Sequence, residues 1–231
     1  MRPTLGPGAI EMKALFLAPH GDEAHIGAAG TMVRLRKETD ADLYVMAFSS
    51  ADASLPKGFS EGSVYRELAD ACAEVSIPKD HVILHRFETR RFPESRQKLL
   101  QTLVDWRKAN RPEAVFAPSP ADFHQDHMTV AEEALRAFRK TCSVYGYDFP
   151  WNAVGHGSPA TMFVELTQEQ LEAKMRAVAH FRSQQEKANN CATPEYAKGL
   201  AVVRGNQIEV PYAEAFEVIR EVRKVGHGIL G

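Results

Sequence analysis

Along most of this chain, short apolar runs alternate with longer segments of helical period. The run Ala14–Ala18 (ALFLA) predicts a buried strand, and the segment Glu23–Lys37 that follows predicts a helix. Strands that are connected through helices lie parallel, and such crossovers are right-handed. The alternation therefore predicts an α/β protein, with a Rossmann-like three-layer fold built on a mostly parallel sheet.

The same alternation continues through four strand–helix units and a further strand, and then breaks at residues 148–159. Further strands are predicted at Asp42–Phe48, His81–His85, Ala114–Ala117, Ser143–Tyr147 and Thr161–Leu166. Further helices are predicted at Glu61–Val75, from about Glu94 to Ala109, from about Met128 to Lys140, from about Gln168 to Gln185, and from near Ala213 onward. Residues 148–159 contain two prolines, two glycines and a tryptophan, which predicts a long loop that we expect to form one wall of a substrate site.

Length and composition favour a single globular domain. The 231 residues are 44% hydrophobic and 25% charged, a mixture that excludes a disordered chain or a disulfide scaffold. Residues 1–12 contain two glycines and two prolines ahead of the first strand, so we expect a flexible N-terminal arm, with Met12 as a plausible alternative start of translation. Residues 13–231 would then form one domain, with its C-terminal part packed against the sheet as an appendage.

Charge and hydropathy exclude several classes of partner. The net charge of −2 provides no positive field for nucleic acid or an anionic membrane. No stretch approaches the roughly 20 apolar residues of a membrane span, and we expect no secretory signal. The three cysteines are odd in number and in no CxxC spacing, which predicts reduced thiols in a cytoplasmic protein: Cys72, Cys142 and Cys191.

Two clusters of possible metal ligands follow the first and fourth predicted strands. The first is Pro19–Gly27 (PHGDEAHIG), and the second is Pro118–His127 (PSPADFHQDH). In the strand order 3-2-1-4, strands one and four are neighbours, and their carboxyl ends border the position where ligands bind. The two clusters would then meet, and two imidazoles with one carboxylate would leave a catalytic zinc an open position for water. A further carboxylate would serve as a base.

Two simpler interpretations account for less of the pattern. Asp22 and Glu23 alone are typical of a helix start, where acidic side chains cap the backbone and complement the dipole. Capping does not require histidines in both clusters, so their convergence favours a metal site. Gly21, Gly27 and Gly30 do not form the G-x-G-x-x-G pattern, which argues against nicotinamide or flavin binding.

These clusters resemble the two motifs of the PIG-L/LmbE family of N-acetylglucosaminyl deacetylases, His-Pro-Asp-Asp-Glu-x-x-Gly and His-x-Asp-His. Lys174 with the later segment His180–Gln184 (HFRSQ) resembles a third family motif, and Tyr212–Phe216 (YAEAF) resembles a fourth. The resemblance covers most of the chain and implies an LmbE-like deacetylase domain over residues 13–231. It also implies a zinc-dependent hydrolase that removes an N-acyl group, typically acetyl, from an amino sugar or a sugar-containing small molecule.

Carried over residue by residue, the resemblance implies the metal ligands His20, Glu23 and His127. Gly21 occupies the position of the family's proline, and Ala24 that of its glutamate. Glu23 stands where the family has an aspartate and reaches one methylene farther, so the resemblance leaves open how Glu23 binds the metal.

The remaining roles come from the same resemblance. Asp22 resembles the general base that takes a proton from water, and Asp126 resembles a residue that orients a histidine. His124 would stabilise the oxyanion, and either His124 or protonated Asp22 would deliver the proton to the departing amine. Arg66 resembles a family arginine that contacts the substrate, although a solvated helix arginine fits its context nearly as well.

Four further side chains stay without a firm role. Arg90 and Arg91 follow the third predicted strand, where they suit either an anionic part of a substrate or an ordinary exposed helix start. His25 and His180 are compatible with either a site or a packed core.

The sequence leaves several alternatives open. One is an amidase that acts on a non-sugar amide or conjugate, and another is a catalytically inactive relative that binds a metal or a sugar. Donor sets of nitrogen and oxygen accept several divalent ions, so Fe²⁺ remains an alternative to Zn²⁺. No sequence pattern that we identify specifies the acyl group, the sugar or aglycone, the pathway or the presence of a homo-oligomer.

Overall fold

The computed structural model describes residues 12–39, 41–147, 149–153, 159–187 and 192–223 of the chain. Within these ranges, seven strands form one sheet in the order β3-β2-β1-β4-β5-β7-β6. The strands are β1 (Lys13–Ala18), β2 (Asp42–Ala47), β3 (Val82–Leu84), β4 (Ala114–Pro118), β5 (Ser143–Tyr147), β6 (Met162–Glu165) and β7 (Ala213–Arg220). Strands β1 to β5 are parallel, which confirms the mostly parallel sheet and the order 3-2-1-4.

Helices cover both faces of this sheet. They are α1 (Glu23–Glu38), α2 (Ser63–Glu74), α3 (Arg96–Asn110), α4 (Gln125–Phe138), α5 (Gln168–Ala179), α6 (Arg182–Gln185) and α7 (Pro194–Asn206). Helices α1, α2, α5 and α7 pack together on one face, and α3 packs with α4 on the other. The three-layer architecture is therefore confirmed.

Strand β1 shows why the apolar run at residues 14–18 is unbroken. Ala14, Phe16 and Ala18 belong to the core beneath α1 and α2, whereas Leu15 and Leu17 belong to the core beneath α3 and α4. A central strand of a parallel sheet is covered on both faces, so successive side chains are apolar on both sides. This places the end of β1 at the centre of the molecule.

The C-terminal part corrects the prediction of a helix near Ala213. Residues 213–220 form strand β7, which lies between β5 and β6 and is antiparallel to both. Alanine and glutamate favour helices, but pairing on both sides and burial of the first four residues outweigh that preference. The expected appendage is therefore partly an extension of the sheet.

Helix α7 was missing from the prediction. It begins with two local signals, because the Thr193 side chain accepts a hydrogen bond from the Tyr196 backbone N–H and Pro194 occupies the first turn. The helix predicted from Gln168 to Gln185 is instead two helices, α5 and α6, which are separated at Phe181.

Other differences are shifts of element ends. Helix α4 begins at Gln125, three residues before the predicted Met128, because His124 caps it. Helix α3 begins at Arg96 after a short 3-10 turn, and β3 is two residues shorter than the predicted strand. The N-terminal arm to residue 11 and Cys191 lie outside the described residues.

None of the helices in the described part of the chain is long and apolar enough to cross a membrane.

Candidate metal centre and its cavity

The two polar clusters meet at the carboxyl ends of β1 and β4, as the strand order predicts. The two strands pair in parallel, with Phe16 opposite Phe116. The ring centroids of His20 and His124 lie 4.9 Å apart, and those of His124 and His127 lie 4.7 Å apart. Residues from two loops that are distant in sequence therefore form one site.

The donor atoms of His20, Glu23 and His127 converge within 4.8 Å of one another. Glu23 Oε1 lies 2.8 Å from His20 Nδ1 and 3.2 Å from His127 Nε2. Two imidazole nitrogens and one carboxylate oxygen are the ligand types of catalytic zinc sites. The residues present therefore fit a divalent metal ion.

A second combination, His20 with His124 and Asp126, also brings three donors within 4.8 Å. In that combination two of the three side chains already accept backbone N–H groups, compared with Glu23 alone in the first combination. The Asp126 carboxylate accepts hydrogen bonds from two backbone N–H groups, and His124 Nδ1 accepts one from a third. The first combination is therefore the better candidate.

Each of the two candidate histidine ligands is held by a carboxylate at its other ring nitrogen. His20 Nε2 lies 2.8 Å from Asp126 Oδ2, and His127 Nδ1 lies 2.7 Å from Asp122 Oδ2. Such contacts fix the tautomer and orientation of a metal-binding imidazole and raise its basicity. Asp122 also accepts the His124 backbone N–H at 2.8 Å. The sequence prediction gave Asp122 no role, although it lies in the second cluster.

The loop after β3 holds Asp126 from the other side. Arg90 and Phe92 donate their backbone N–H groups to the Asp126 carboxylate at 2.6 and 3.2 Å. Arg90 has a backbone φ of +68°, in the left-handed region that residues with a side chain rarely adopt. The sequence gives no local signal for this contact, because it joins two distant loops.

Glu23 is held by the backbone of its own loop. Its carboxylate accepts hydrogen bonds from the His20 N–H at 2.9 and 3.1 Å and from the Gly21 N–H at 3.0 Å. Gly21 has a φ of +112°, which a proline ring does not permit. The loop therefore differs in backbone conformation from one that carries the family's proline at this position.

His124 caps helix α4 with its side chain. Its Nδ1 accepts a hydrogen bond from the Asp126 backbone N–H at 3.1 Å, so the ring proton of the neutral form belongs on Nε2. Burial, with the charges of His127 and His20, lowers the pKa of His124 to about 4. His124 is therefore a neutral imidazole with an N–H donor.

Burial and close charges shift the acidities of the other site residues. Burial and the negative charge of Glu23 raise the pKa of Asp22 to about 7. Burial alone would lower the pKa of His20, but Glu23 and Asp126 outweigh it and raise that pKa to about 9. Burial opposes ionisation of Glu23, but His20 and His127 hold its pKa well below the ordinary value.

A cavity of about 310 Å³ opens over these side chains. This volume is at the small end of the range of about 300–1,000 Å³ for ligand pockets. Its lining comprises His20, Asp22, Glu23, His124 and His127 together with Ile26, Ala51, Ser54, Thr89, Arg90, Trp151, Asn152, Gln184, Lys187 and Ala192. Trp151 and Asn152 come from the loop that was expected to form a wall.

Arg66 is not among the residues that line this cavity. Its guanidinium donates to the hydroxyl groups of Ser60 and Ser63 at 2.8 and 2.9 Å, beside the start of α2. The structure therefore gives Arg66 a local role, and its contact with a substrate stays a prediction.

The remaining ambiguous histidines also lie elsewhere. His25 is fully buried against the Phe181 ring, and burial lowers its pKa to about 3. His180 ends α5 and lies 3.9 Å from the Glu74 carboxylate. Both are structural side chains in this arrangement.

The family comparison agrees with this geometry. The family model for GlcNAc-PI de-N-acetylase (PIG-L) matches residues 15–138, which is more than half of the chain. The chain belongs to this family. Its enzyme class is that of a hydrolytic N-deacetylase. No curated protein matches the chain in sequence.

Solved structures of the same fold cover nearly all of the chain. An N,N'-diacetylchitobiose deacetylase from Pyrococcus horikoshii has a TM-score of 0.73 at 19% identity and covers 90% of this chain and 83% of its own. The conserved protein TT1542 from Thermus thermophilus has a TM-score of 0.71 at 24% identity, with coverages of 94% and 99%. A 4-carboxy-2-hydroxymuconate hydratase from Pseudomonas putida KT2440 has a TM-score of 0.71 at 18% identity, with coverages of 94% and 99%. At these identities the likeness shows a shared fold.

Proposed function

We propose that this protein hydrolyses the N-acyl group, first of all N-acetyl, of an amino sugar or a sugar-containing small molecule with the help of a zinc ion. The observation that carries the proposal is the convergence of His20, Glu23 and His127 beside Asp22 and His124 in one cavity. Family membership gives the reaction class, and these five side chains supply the parts that amide hydrolysis needs.

His20, Glu23 and His127 would hold the zinc ion, with Fe²⁺ as the alternative occupant of the same donors. Bound zinc lowers the pKa of a water molecule to about 7 and polarises an amide carbonyl. Asp126 and Asp122 keep the two imidazoles in the orientation in which one nitrogen of each ring faces Glu23.

Asp22 would act as the general base. It lines the cavity next to the candidate ligands, where a carboxylate can accept a proton from a water molecule. Asp22 takes the proton of the attacking water and then delivers it to the nitrogen as the C–N bond breaks. The products are a carboxylate and a free amine.

His124 would stabilise the oxyanion. Because its Nδ1 accepts a backbone N–H, its Nε2–H is the group that remains to donate to a developing negative charge. A neutral His124 in this tautomer is a poor proton donor to the departing amine. We therefore assign delivery of that proton to Asp22.

The substrate class rests on the family and on the size of the cavity. A family described by a GlcNAc-PI de-N-acetylase suggests an N-acetylated amino sugar, and about 310 Å³ suits one sugar ring with its acetyl group. Trp151 lines the cavity with a ring that Phe149 and Tyr196 hold in place, and an aromatic face of this kind suits the apolar face of a sugar. A non-sugar amide is the alternative substrate.

The experiment measures free amine released from a panel of N-acetylated amino sugars and non-sugar amides, with metal content determined on the same sample. Amine release should stop with a chelator and return with zinc. Asp22→Asn should abolish turnover while metal remains bound, and His127→Ala should lose the metal. Asp70→Asn, an exposed change on helix α2, serves as the control.

Three results would contradict parts of this proposal. Full activity in Asp22→Asn would overturn the assignment of the base. Bound metal without amine release from any probe would revive the inactive relative, and absence of metal binding would overturn the centre itself.

A further inference from the structure

Two positively charged side chains line the cavity outside the metal centre, Arg90 and Lys187. The arginines around Arg90 all pair with glutamates: Arg86 with Glu61, Arg91 with Glu88 and Glu94, and Arg96 with Glu132 and Glu133. Within the described residues, the Arg90 guanidinium has no hydrogen-bond or ion-pair partner. Among these four arginines, the one that lines the cavity is therefore the one without a carboxylate partner in the described part of the chain.

Lys187 reaches the same cavity from the segment after α6. Its ammonium donates to Gln184 Oε1 at 2.6 Å and to Ser54 Oγ at 3.2 Å, which are both uncharged partners. Burial lowers the pKa of Lys187, the carboxylates of Asp22 and Glu23 oppose that shift, and the charge of Arg90 adds to it. Arg90 and Lys187 therefore present two positive charges to the same cavity.

The backbone of Arg90 adds an independent observation. Its backbone is in the left-handed conformation, with φ of +68°, which is unfavourable for a residue with a side chain relative to glycine. The conformation is held because the Arg90 N–H binds Asp126 and its carbonyl accepts a hydrogen bond from the Gln125 side chain. The same backbone contacts would be available to a glycine, so they do not require an arginine at this position.

We propose that the acylated substrate carries an oxyanion, a carboxylate or a phosphate ester, which Arg90 and Lys187 bind. This inference rests on the proposed function for the position of the amide. An oxyanion would accept charge-assisted hydrogen bonds from both side chains. The planar guanidinium suits two-point contact with either group, and the ammonium adds a point charge. Because both cations share one small cavity with Asp22 and His124, the oxyanion and the amide belong to one small molecule.

The experiment compares three probes with the same acetamido sugar: N-acetylglucosamine, its 1-phosphate, and N-acetylmuramic acid, which carries a carboxylate. Specificity constants come from amine release, and binding constants come from calorimetry. We expect at least one anionic probe to exceed the neutral sugar tenfold or more in both measurements. The preferred probe distinguishes a phosphate from a carboxylate.

Variants assign this preference to the two side chains. Arg90→Gln and Lys187→Gln should each reduce the ratio of anionic to neutral probe at least tenfold, whereas Arg86→Gln, an exposed arginine outside the cavity, should keep the wild-type ratio. The wild-type protein gives a test that requires no variant, because the preference should weaken as ionic strength rises from roughly 20 to 300 mM.

The two readouts separate this inference from the deacetylase assignment. Tighter binding of an anionic probe without amine release would support the oxyanion site and contradict the proposed reaction. Amine release without any preference for anionic probes would support the reaction and overturn the oxyanion site. Equal or undetectable binding of all three probes, or an unchanged ratio in both variants, would also overturn it.

Discussion

Gly21 and Glu23, two of the three departures from the family's first motif, form one structural unit. The Gly21 N–H donates to Glu23, and a proline at this position would have no N–H and could not adopt φ of +112°. The extra methylene of glutamate lets its carboxylate turn back onto the backbone of residues 20 and 21 while it faces both histidines. The longer acid and the glycine therefore compensate for each other.

Gly21→Ala should destabilise the protein by about 1–3 kcal/mol, measured as the free energy of unfolding in denaturant. A Cβ at residue 21 would lie 2.7 Å from Val64 Cγ1, in addition to the strained φ. Gly58→Ala is the matched control, because Gly58 also has a positive φ but a Cβ there would meet no atom within 4 Å. An equal loss of unfolding free energy in Gly21→Ala and Gly58→Ala would show that the Val64 side chain moves aside at no cost.

Asp122→Asn should weaken metal binding about 10- to 100-fold without removing a ligand. The asparagine keeps the size of the side chain but not the charge that holds His127 Nδ1–H at 2.7 Å. Competition with a chelator gives the affinity, and His127→Ala, which removes the ligand itself, should lose more. An unchanged affinity in Asp122→Asn would mean that packing alone orients His127.

At the scale of elements, one buried ion pair connects helix α1 to α5 and β7. Lys174 Nζ in α5 lies 2.6 Å from Glu214 Oε1 in β7, and both side chains are almost fully buried. The same carboxylate accepts hydrogen bonds from the Gly30 N–H and from the backbone and hydroxyl of Thr31 in α1. Lys174 and Glu214, from the two segments that resemble further family motifs, therefore fix the helix that begins at Glu23.

Lys174→Met should cost about 3–5 kcal/mol of unfolding free energy, because it leaves the Glu214 carboxylate buried without its cation. Lys37→Met is the matched control, since Lys37 pairs with Glu169 between α1 and α5 on the exposed surface. That loss should be below about 1 kcal/mol. Similar losses in the two variants, measured by denaturant unfolding, would contradict a structural role for the buried pair.

Elements with a strong local pattern were predictable, and contacts between distant segments were not. Strand β1 was predicted because an apolar run is typical of a strand covered on both faces. Strand β7 was predicted as a helix, because its pairing with β5 and β6 has no local signal. At the site, the motif spacing predicted the converging histidines. Lys187 was not predicted, because it lies far from both motifs in the sequence and only the fold brings it to the cavity.

For the whole molecule, the sheet separates two apolar cores that share every central strand. Cys72 lies fully buried in the core beneath α1 and α2, and Cys142 lies buried in the core beneath α3 and α4. Burial also raises the pKa of the Cys72 thiol, which keeps it in its less reactive protonated form. The two thiols can therefore report on the two layers separately.

If residues 13–231 form one domain, both cores should open in a single transition, since neither layer can keep its apolar surface covered without the shared sheet. In a Cys191→Ser background, neither remaining thiol should react with a soluble disulfide reagent in the native protein. With increasing denaturant, Cys72 and Cys142 should be labelled at the same midpoint, as followed by mass spectrometry of the separate peptides. Labelling of one thiol at a clearly lower midpoint would show that its layer unfolds independently and would contradict the single-domain prediction.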